Sequence, residues 1–141
     1  MVSGLLHEVI APFKIMESIY KLCSAKTIIH VNVPNAYSLH RLIAKEAGLI
    51  KSLYELSPTQ KRLQQNHTFD FNSLKDLCDK AGFECMEQGS ILIKPFTHLQ
   101  MEQLIDFKII GTEVLEGLYK LANQLPEFGS EIYLNLIKKE H

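Results

Sequence analysis

The sequence predicts an α/β domain with a partly parallel sheet, and three observations carry that reading. Residues 27–33 (TIIHVNV) form a β-branched, nearly apolar run, which fits a strand covered on both faces. Segments of strand character alternate with segments whose apolar residues recur at helical spacing. The chain has 141 residues, 46% of them apolar and 22% charged, which suits one globular domain and is short for two. It contains no internal repeat and no low-complexity run, so it reads as one continuous unit.

The chain opens with residues 2–6 (VSGLL), an apolar stub with the character of the end of a buried strand. Pro12 suits the first turn of a helix, where a missing N–H costs nothing. Phe13, Met16, Ile19, Tyr20 and Cys23 follow at helical spacing, so an amphipathic helix is expected over 12–24. The strand at 27–33 ends at Pro34 and Asn35. Leu39, Leu42 and Ile43 define an apolar stripe on a helix within 37–47, stopped at Gly48. Ser57 followed by Pro58 opens a short helix. Asp70 caps a helix whose core stripe is Leu74, Leu77, Cys78 and Ala81, with Gly82 as its stop. Residues 83–88 read as a strand, broken at Gly89 and resumed over 91–93. Thr97 and Gln100 have the spacing of a capping box, for a helix to about Phe107. Thr112 caps another, carrying Leu115, Leu118, Tyr119 and Ala122 and bounded by Pro126. Residues 131–138 (EIYLNLIK) close the chain as a strand with Ile132, Leu134 and Leu136 on one face.

Composition narrows the class without giving a function. Fifteen Lys and Arg face sixteen Asp and Glu, a formal net charge of -1, which argues against a dedicated nucleic-acid binder. No apolar run approaches the ~20 residues that a membrane-spanning helix needs. The start lacks a basic segment, and His7 and Glu8 interrupt its apolar stretch, so it does not read as a signal peptide. Cys23, Cys78 and Cys85 show no CxxC spacing and read as reduced, mostly buried thiols of a cytoplasmic protein. There is no GxGxxG, P-loop, HExxH or GxSxG.

The six histidines (His7, His30, His40, His67, His98, His141) have no metal-ligand spacing, and no metal is expected. A lone histidine is more often a surface or structural residue. Two of them fall where chemistry is found in open α/β sheets, in the crevice beyond the carboxyl ends of strands. His7 follows the first apolar stub directly, and His40 lies in the helix after Pro34 and Asn35. Asn35 itself is equally suited to forming the turn by bonding its own backbone and to facing the crevice. Residues 40–62 carry Arg41, Lys45, Lys51, Lys61 and Arg62 against Glu46 and Glu55, a local net of +3. A solvated helix face explains that excess, and a nearby anionic ligand would also suit it.

Residues 5–9 (LLHEV), 28–35 (IIHVNVPN) and 67–83 (HTFDFNSLKDLCDKAGF) together resemble class I S-adenosylmethionine-dependent methyltransferases, specifically the C-terminal half of that fold. The first segment is similar to the end of the family's fourth strand. The second resembles the fifth strand and its loop, and the third the helix leading into the sixth strand. Residues 131–138 would then be the seventh, antiparallel and inserted between the fifth and sixth. The resemblance implies a partial Rossmann-like methyltransferase sheet, equivalent to strands four to seven, in a single partial domain over 1–141 with residues 37–66 as a helical lid insertion. It implies that His7 and Glu8 lie near the cofactor, S-adenosylmethionine, and that Asn35, Tyr37 and Arg41 border a small-molecule acceptor. His7, His40 or His67 would supply a base, since histidine titrates near neutral pH.

The sequence also departs from the family. The Pro that many relatives place four residues after the His equivalent to His7 is here Pro12. The glycine-rich turn and the ribose-binding acidic residue of the family's first strands are not among these residues. The expected function is that of an acceptor-binding half, inactive alone, which meets its N-terminal half or self-associates through an exposed sheet edge. The alternative is a non-catalytic α/β interaction module that kept the half-fold.

Overall fold

The computed structural model describes residues 1–140, apart from the side chain of Thr59, so His141 lies outside the described residues. Strands β1 (Val2–Ser3), β2 (Ile29–Pro34), β3 (Phe83–Ile91) and β4 (Glu131–Lys138) form one open sheet in the order β1-β2-β4-β3. β1 and β2 are parallel and are joined across helix α1 (Pro12–Leu22). β4 lies antiparallel between β2 and β3. The architecture is mixed α/β with a four-stranded open sheet, and its last strand lies antiparallel between β2 and β3, as the resemblance implies.

Alternation along the strands separates two faces. Ile29, Val31 and Val33 of β2 and Ile132, Leu134 and Leu136 of β4 point one way, onto Met16 of α1 and Leu74 and Cys78 of α4 (Phe71–Lys80). This is the core, and both helices cover the same face. α4 starts where the sequence says: Asp70 Oδ1 accepts from Ser73 N at 2.7 Å, and Asp70 N donates to Ser73 Oγ at 3.0 Å. Gly82 ends it in the left-handed region, φ +93°, and a Cβ there would meet the Tyr20 ring at 2.7 Å. Tyr20 in turn stands edge-on to Phe83, 5.4 Å between centroids.

Two further helices begin at the expected caps. Ser57 and Gln60 exchange hydrogen bonds at the start of α3 (Pro58–Arg62), and Thr97 and Gln100 do so at α5 (His98–Asp106). Four local expectations are corrected. The first strand stops at Ser3, because Gly4 adopts φ +60° and turns the chain, leaving Leu5 exposed and Leu6 buried. In α2 (Leu39–Glu46) the buried residue is Arg41, while Ile43 of the expected stripe is exposed. β3 runs unbroken through Gly89, where the Tyr133 side chain fills the space of a Cβ; its irregularity lies between Cys85 and Glu87. In α6 (Thr112–Leu121) the cap position is Gly111, and Thr112 is already helical. Cys23, Cys78 and Cys85 are free thiols. Among the described residues no helix is long and apolar enough to cross a membrane.

Candidate functional site

Because β1 and β2 are parallel, their carboxyl ends lie side by side, and the turns leaving them carry the candidate residues. His7 follows β1 and is only 5% exposed. Its carbonyl accepts from Asn66 N at 2.8 Å and His67 N at 3.1 Å, and Glu8 O accepts from Asn66 Nδ2 at 2.6 Å. These bonds clip the loop before α4 onto the segment after β1. Burial pushes the His7 pKa down, against the opposing pull of the Glu8 and Glu131 carboxylates, so the ring is neutral at pH 7. Its Nδ1 is buried with no hydrogen-bond partner among the described residues. Glu8 Oε1 is 3.7 Å from Nε2, beyond hydrogen-bonding reach. His67 sits on the clipped loop, with Nε2 3.2 Å from the Ile10 carbonyl and its ring tilted on Phe69.

Asn35, after β2, is 2% exposed and uses its amide inside the protein. Nδ2 donates to Glu127 O at 2.9 Å and Gly129 O at 2.8 Å, and Oδ1 accepts from Tyr37 N at 2.9 Å. The last bond is the turn that the residue type favours. The first two fasten the segment before β4. Asn35 therefore shapes the wall of a cleft of about 230 Å³, lined also by Tyr37, Asp70, Phe71, Asn72 and Glu127.

The segment beyond the cleft is held at two points. Tyr54 donates its hydroxyl to Asp70 Oδ2 and stands edge-on to Tyr37. That hydrogen bond, with burial, raises the Tyr54 pKa, so it remains a donor. Burial pushes the Asp70 carboxyl up, but hydrogen bonds from Ser73, Tyr54 and Asn72 together hold it below its ordinary value. The second point is Arg41, whose Nη2 donates to Leu53 O at 2.7 Å and Glu55 O at 2.6 Å. Nε also reaches Leu53 O, and Nη1 reaches Gln60 Oε1. The guanidinium thus braces residues 53–60.

Three residues that sequence reasoning missed extend the site. Asn32 of β2, 8% exposed, donates from Nδ2 to Glu131 Oε2 at 2.9 Å. The field of Glu131 opposes burial at both His7 and Lys94. Lys94 is half-buried, and its charge adds to burial in lowering the His40 pKa to about 4, with Arg41 a further cause. Among the described residues His40 Nδ1 is buried without a hydrogen-bond partner. Asn32 carried a signal, a polar residue inside an apolar strand. Glu131 did not, since it meets that strand only through the β2–β4 register, Pro34 opposite Glu131. His30 lies elsewhere, stacked on Tyr133 with Nδ1 2.8 Å from Asn135 Oδ1, and His98 pairs with Glu102 on the exposed side of α5. Among the described residues no cluster of His, Cys, Asp or Glu could hold a metal.

No protein-family model matches the chain, and no curated protein sequence matches it. A solved structure, a SAM-dependent methyltransferase from Archaeoglobus fulgidus, is similar with a TM-score of 0.51 at 17% sequence identity. The match covers 99% of this chain and 57% of that one, so the present chain spans little more than half the length of its structural neighbour. At that identity the likeness is one of fold.

Proposed function

We propose that this chain is the acceptor-side half of an S-adenosylmethionine-dependent methyltransferase, equivalent to strands four to seven of the family's sheet and acting on a small molecule. The observation that carries the reading is the sheet itself. Parallel β1 and β2, with antiparallel β4 inserted between β2 and β3, supports it over other half-folds. The free thiols accord with a cytoplasmic setting.

The cofactor supplies an electrophilic methyl group on sulfur; this chain contributes position and proton handling. His7 and Glu8, at the carboxyl end of β1, would border the cofactor. A neutral His7 with an unpartnered buried nitrogen suits a base that takes a proton from the acceptor, and Glu131 would stabilise the resulting imidazolium. His7 is the better candidate of the three histidines. His40 is a weak base with its pKa near 4, and His67 already meets the Ile10 carbonyl through Nε2. Asn35 and Tyr37 would form the acceptor wall. Residues 37–66 act as a lid, fastened by Tyr54 on Asp70 and stiffened by Arg41. The glycine-rich turn and ribose carboxylate of the family are not among these 141 residues, so the chain alone is expected to be inactive. The outer edge of β1, the end strand of the sheet, is where the remaining strands or a second copy would pair.

The interaction-module reading is favoured by one observation, an apolar groove of about 320 Å³ on and after α5, lined by Phe96, Leu104, Phe107 and Ile109 among others. The test is to express the chain extended by the coding sequence immediately upstream and to assay transfer of labelled methyl groups to a small-molecule pool. Label in a low-mass product is expected. A folded extended protein that transfers none would overturn the proposal and leave the interaction module standing.

A further inference from the structure

We infer that the cleft after β2 receives a small cationic group, a protonated amine or a related onium head, held between two carboxylates and two aromatic rings. The inference rests on the acceptor-side reading above, which leaves the chemistry of the acceptor open. On that reading the cationic group belongs to the methyl acceptor, as the handle by which it is recognised.

Hydrogen bonds fix the walls of this cleft. Asn35 stands opposite Phe69 in an isolated parallel bridge, and Ala36 N donates to Phe69 O at 2.8 Å. These contacts set the turn that carries Tyr37 beside the start of α4, where Asp70, Phe71 and Asn72 lie. On the other side Asn35 N donates to Ser130 O at 3.0 Å, and Asn35 Nδ2 donates to Glu127 O at 2.9 Å. The segment before β4 is thereby held against the same turn. Three stretches of chain, far apart in sequence, thus bound one space of about 230 Å³. It has room for a head group or a single ring, less than a drug-sized ligand needs.

The lining selects charge. Asp70 and Glu127 bring carboxylates to the cleft, and among the described residues that line it there is no Lys, Arg or His. Tyr37 and Phe71 bring aromatic rings, whose faces attract cations. Asn35 spends both amide hydrogens on Glu127 O and Gly129 O and keeps none for a ligand. The amino end of α4 would by itself suit an anion, but Asp70 already fills that place. Its Oδ1 accepts from Ser73 N at 2.7 Å and its Oδ2 from the Tyr54 hydroxyl. Each carboxylate oxygen retains a second lone pair, so both can still accept from an ammonium. The basic excess over 40–62 is spent elsewhere. Arg41 is bonded to Leu53 O and Glu55 O, and none of Lys45, Lys51, Lys61 or Arg62 lines the cleft.

The test uses three probes of one shape and different charge: benzylammonium chloride, benzyl alcohol and sodium benzoate. Each is titrated into the 141-residue chain at pH 7 and constant ionic strength, read by the backbone amide NMR signals of Tyr37, Phe71, Asn72 and Glu127. A saturable shift with benzylammonium is expected, with weaker binding of the alcohol and none of benzoate. Glu127→Gln should weaken benzylammonium binding by roughly threefold, as suits an exposed carboxylate, and Asp70→Asn by roughly fivefold. Asparagine caps a helix as well as aspartate does, so the second variant keeps α4 while losing the charge. Both variants should leave benzyl alcohol binding unchanged, which a merely distorted cleft would not. No saturable shift with benzylammonium, binding of the alcohol or benzoate as tight as that of the cation, or a cation preference undiminished in both variants overturns the inference. None of these outcomes involves S-adenosylmethionine. A cation preference that holds while the extended chain transfers no methyl would overturn the methyltransferase reading and, with it, the acceptor as the source of the cation.

Discussion

On one face of the sheet Val31, Val33, Ile132, Leu134 and Leu136 are fully enclosed beneath α1 and α4, whereas on the other His30, Asn32, Tyr133 and Asn135 meet as polar and aromatic neighbours. The same two strands supply both faces. On the apolar face any well-fitted side chain contributes, at roughly 25 cal/mol per Å² of area removed from water. On the polar face each group needs a named partner, and Asn32 finds Glu131 while His30 finds Asn135. Beyond the carboxyl ends of the strands, His7 Nδ1 and His40 Nδ1 are buried without a partner among the described residues. Stability and chemistry are thus separated by face and by end.

The largest effect should come from the apolar face. Leu134→Ala leaves a cavity under α1 and α4 and should lower stability by about 3 kcal/mol in urea denaturation. Asn135→Ala on the other face removes one bond to His30 and one to Glu87 and should cost only about 1 kcal/mol. The reverse order would break the comparison.

Arg41→Ala falls between these two, at roughly 2 kcal/mol, because a buried cation bonded to two carbonyls leaves them without a donor. Its signature should be local. Amide hydrogen exchange should speed up over 53–60 and remain slow in β2 and β4. Uniform loss across the sheet would mean that Arg41 supports the core rather than the lid.

Protonation sharpens the contrast at the polar end. The unfolded chain binds a proton at His40 as pH falls below 6.5, while burial delays binding in the folded chain until about pH 4. Stability is therefore complete above 6.5 and declines as pH falls between those two values. Partial exposure tempers the size of the decline, to about 1–2 kcal/mol. Urea midpoints measured across that window should fall in the wild type and fall less in His40→Gln. An unchanged slope in the variant would show that another group carries the dependence.

How much of this was legible in the sequence follows from the range of the interactions. Asp70, Thr97 and Ser57 announce their helices because a cap is decided within four residues, and each of the three caps forms as read. The alternation of residues 131–138 reproduces β4 and its buried face. The place of β4 between β2 and β3 came from resemblance, not periodicity. Arg41 was read as a residue facing a ligand, yet its partners are carbonyls, which leave no mark in the sequence. Glu131 reaches Asn32 across 99 residues, and only the antiparallel register brings them together. Lys94 had no local pattern to mark it.

The central proposal is that these four strands carry the acceptor side of a methyltransferase and not its cofactor grip. Calorimetric titration with S-adenosylmethionine, of the 141-residue chain and of the chain extended upstream, tests it most directly. The shorter protein should give no saturable heat, and the longer one should bind in the micromolar range. Low-micromolar binding by the 141 residues alone, or none by a folded extended protein, would contradict it.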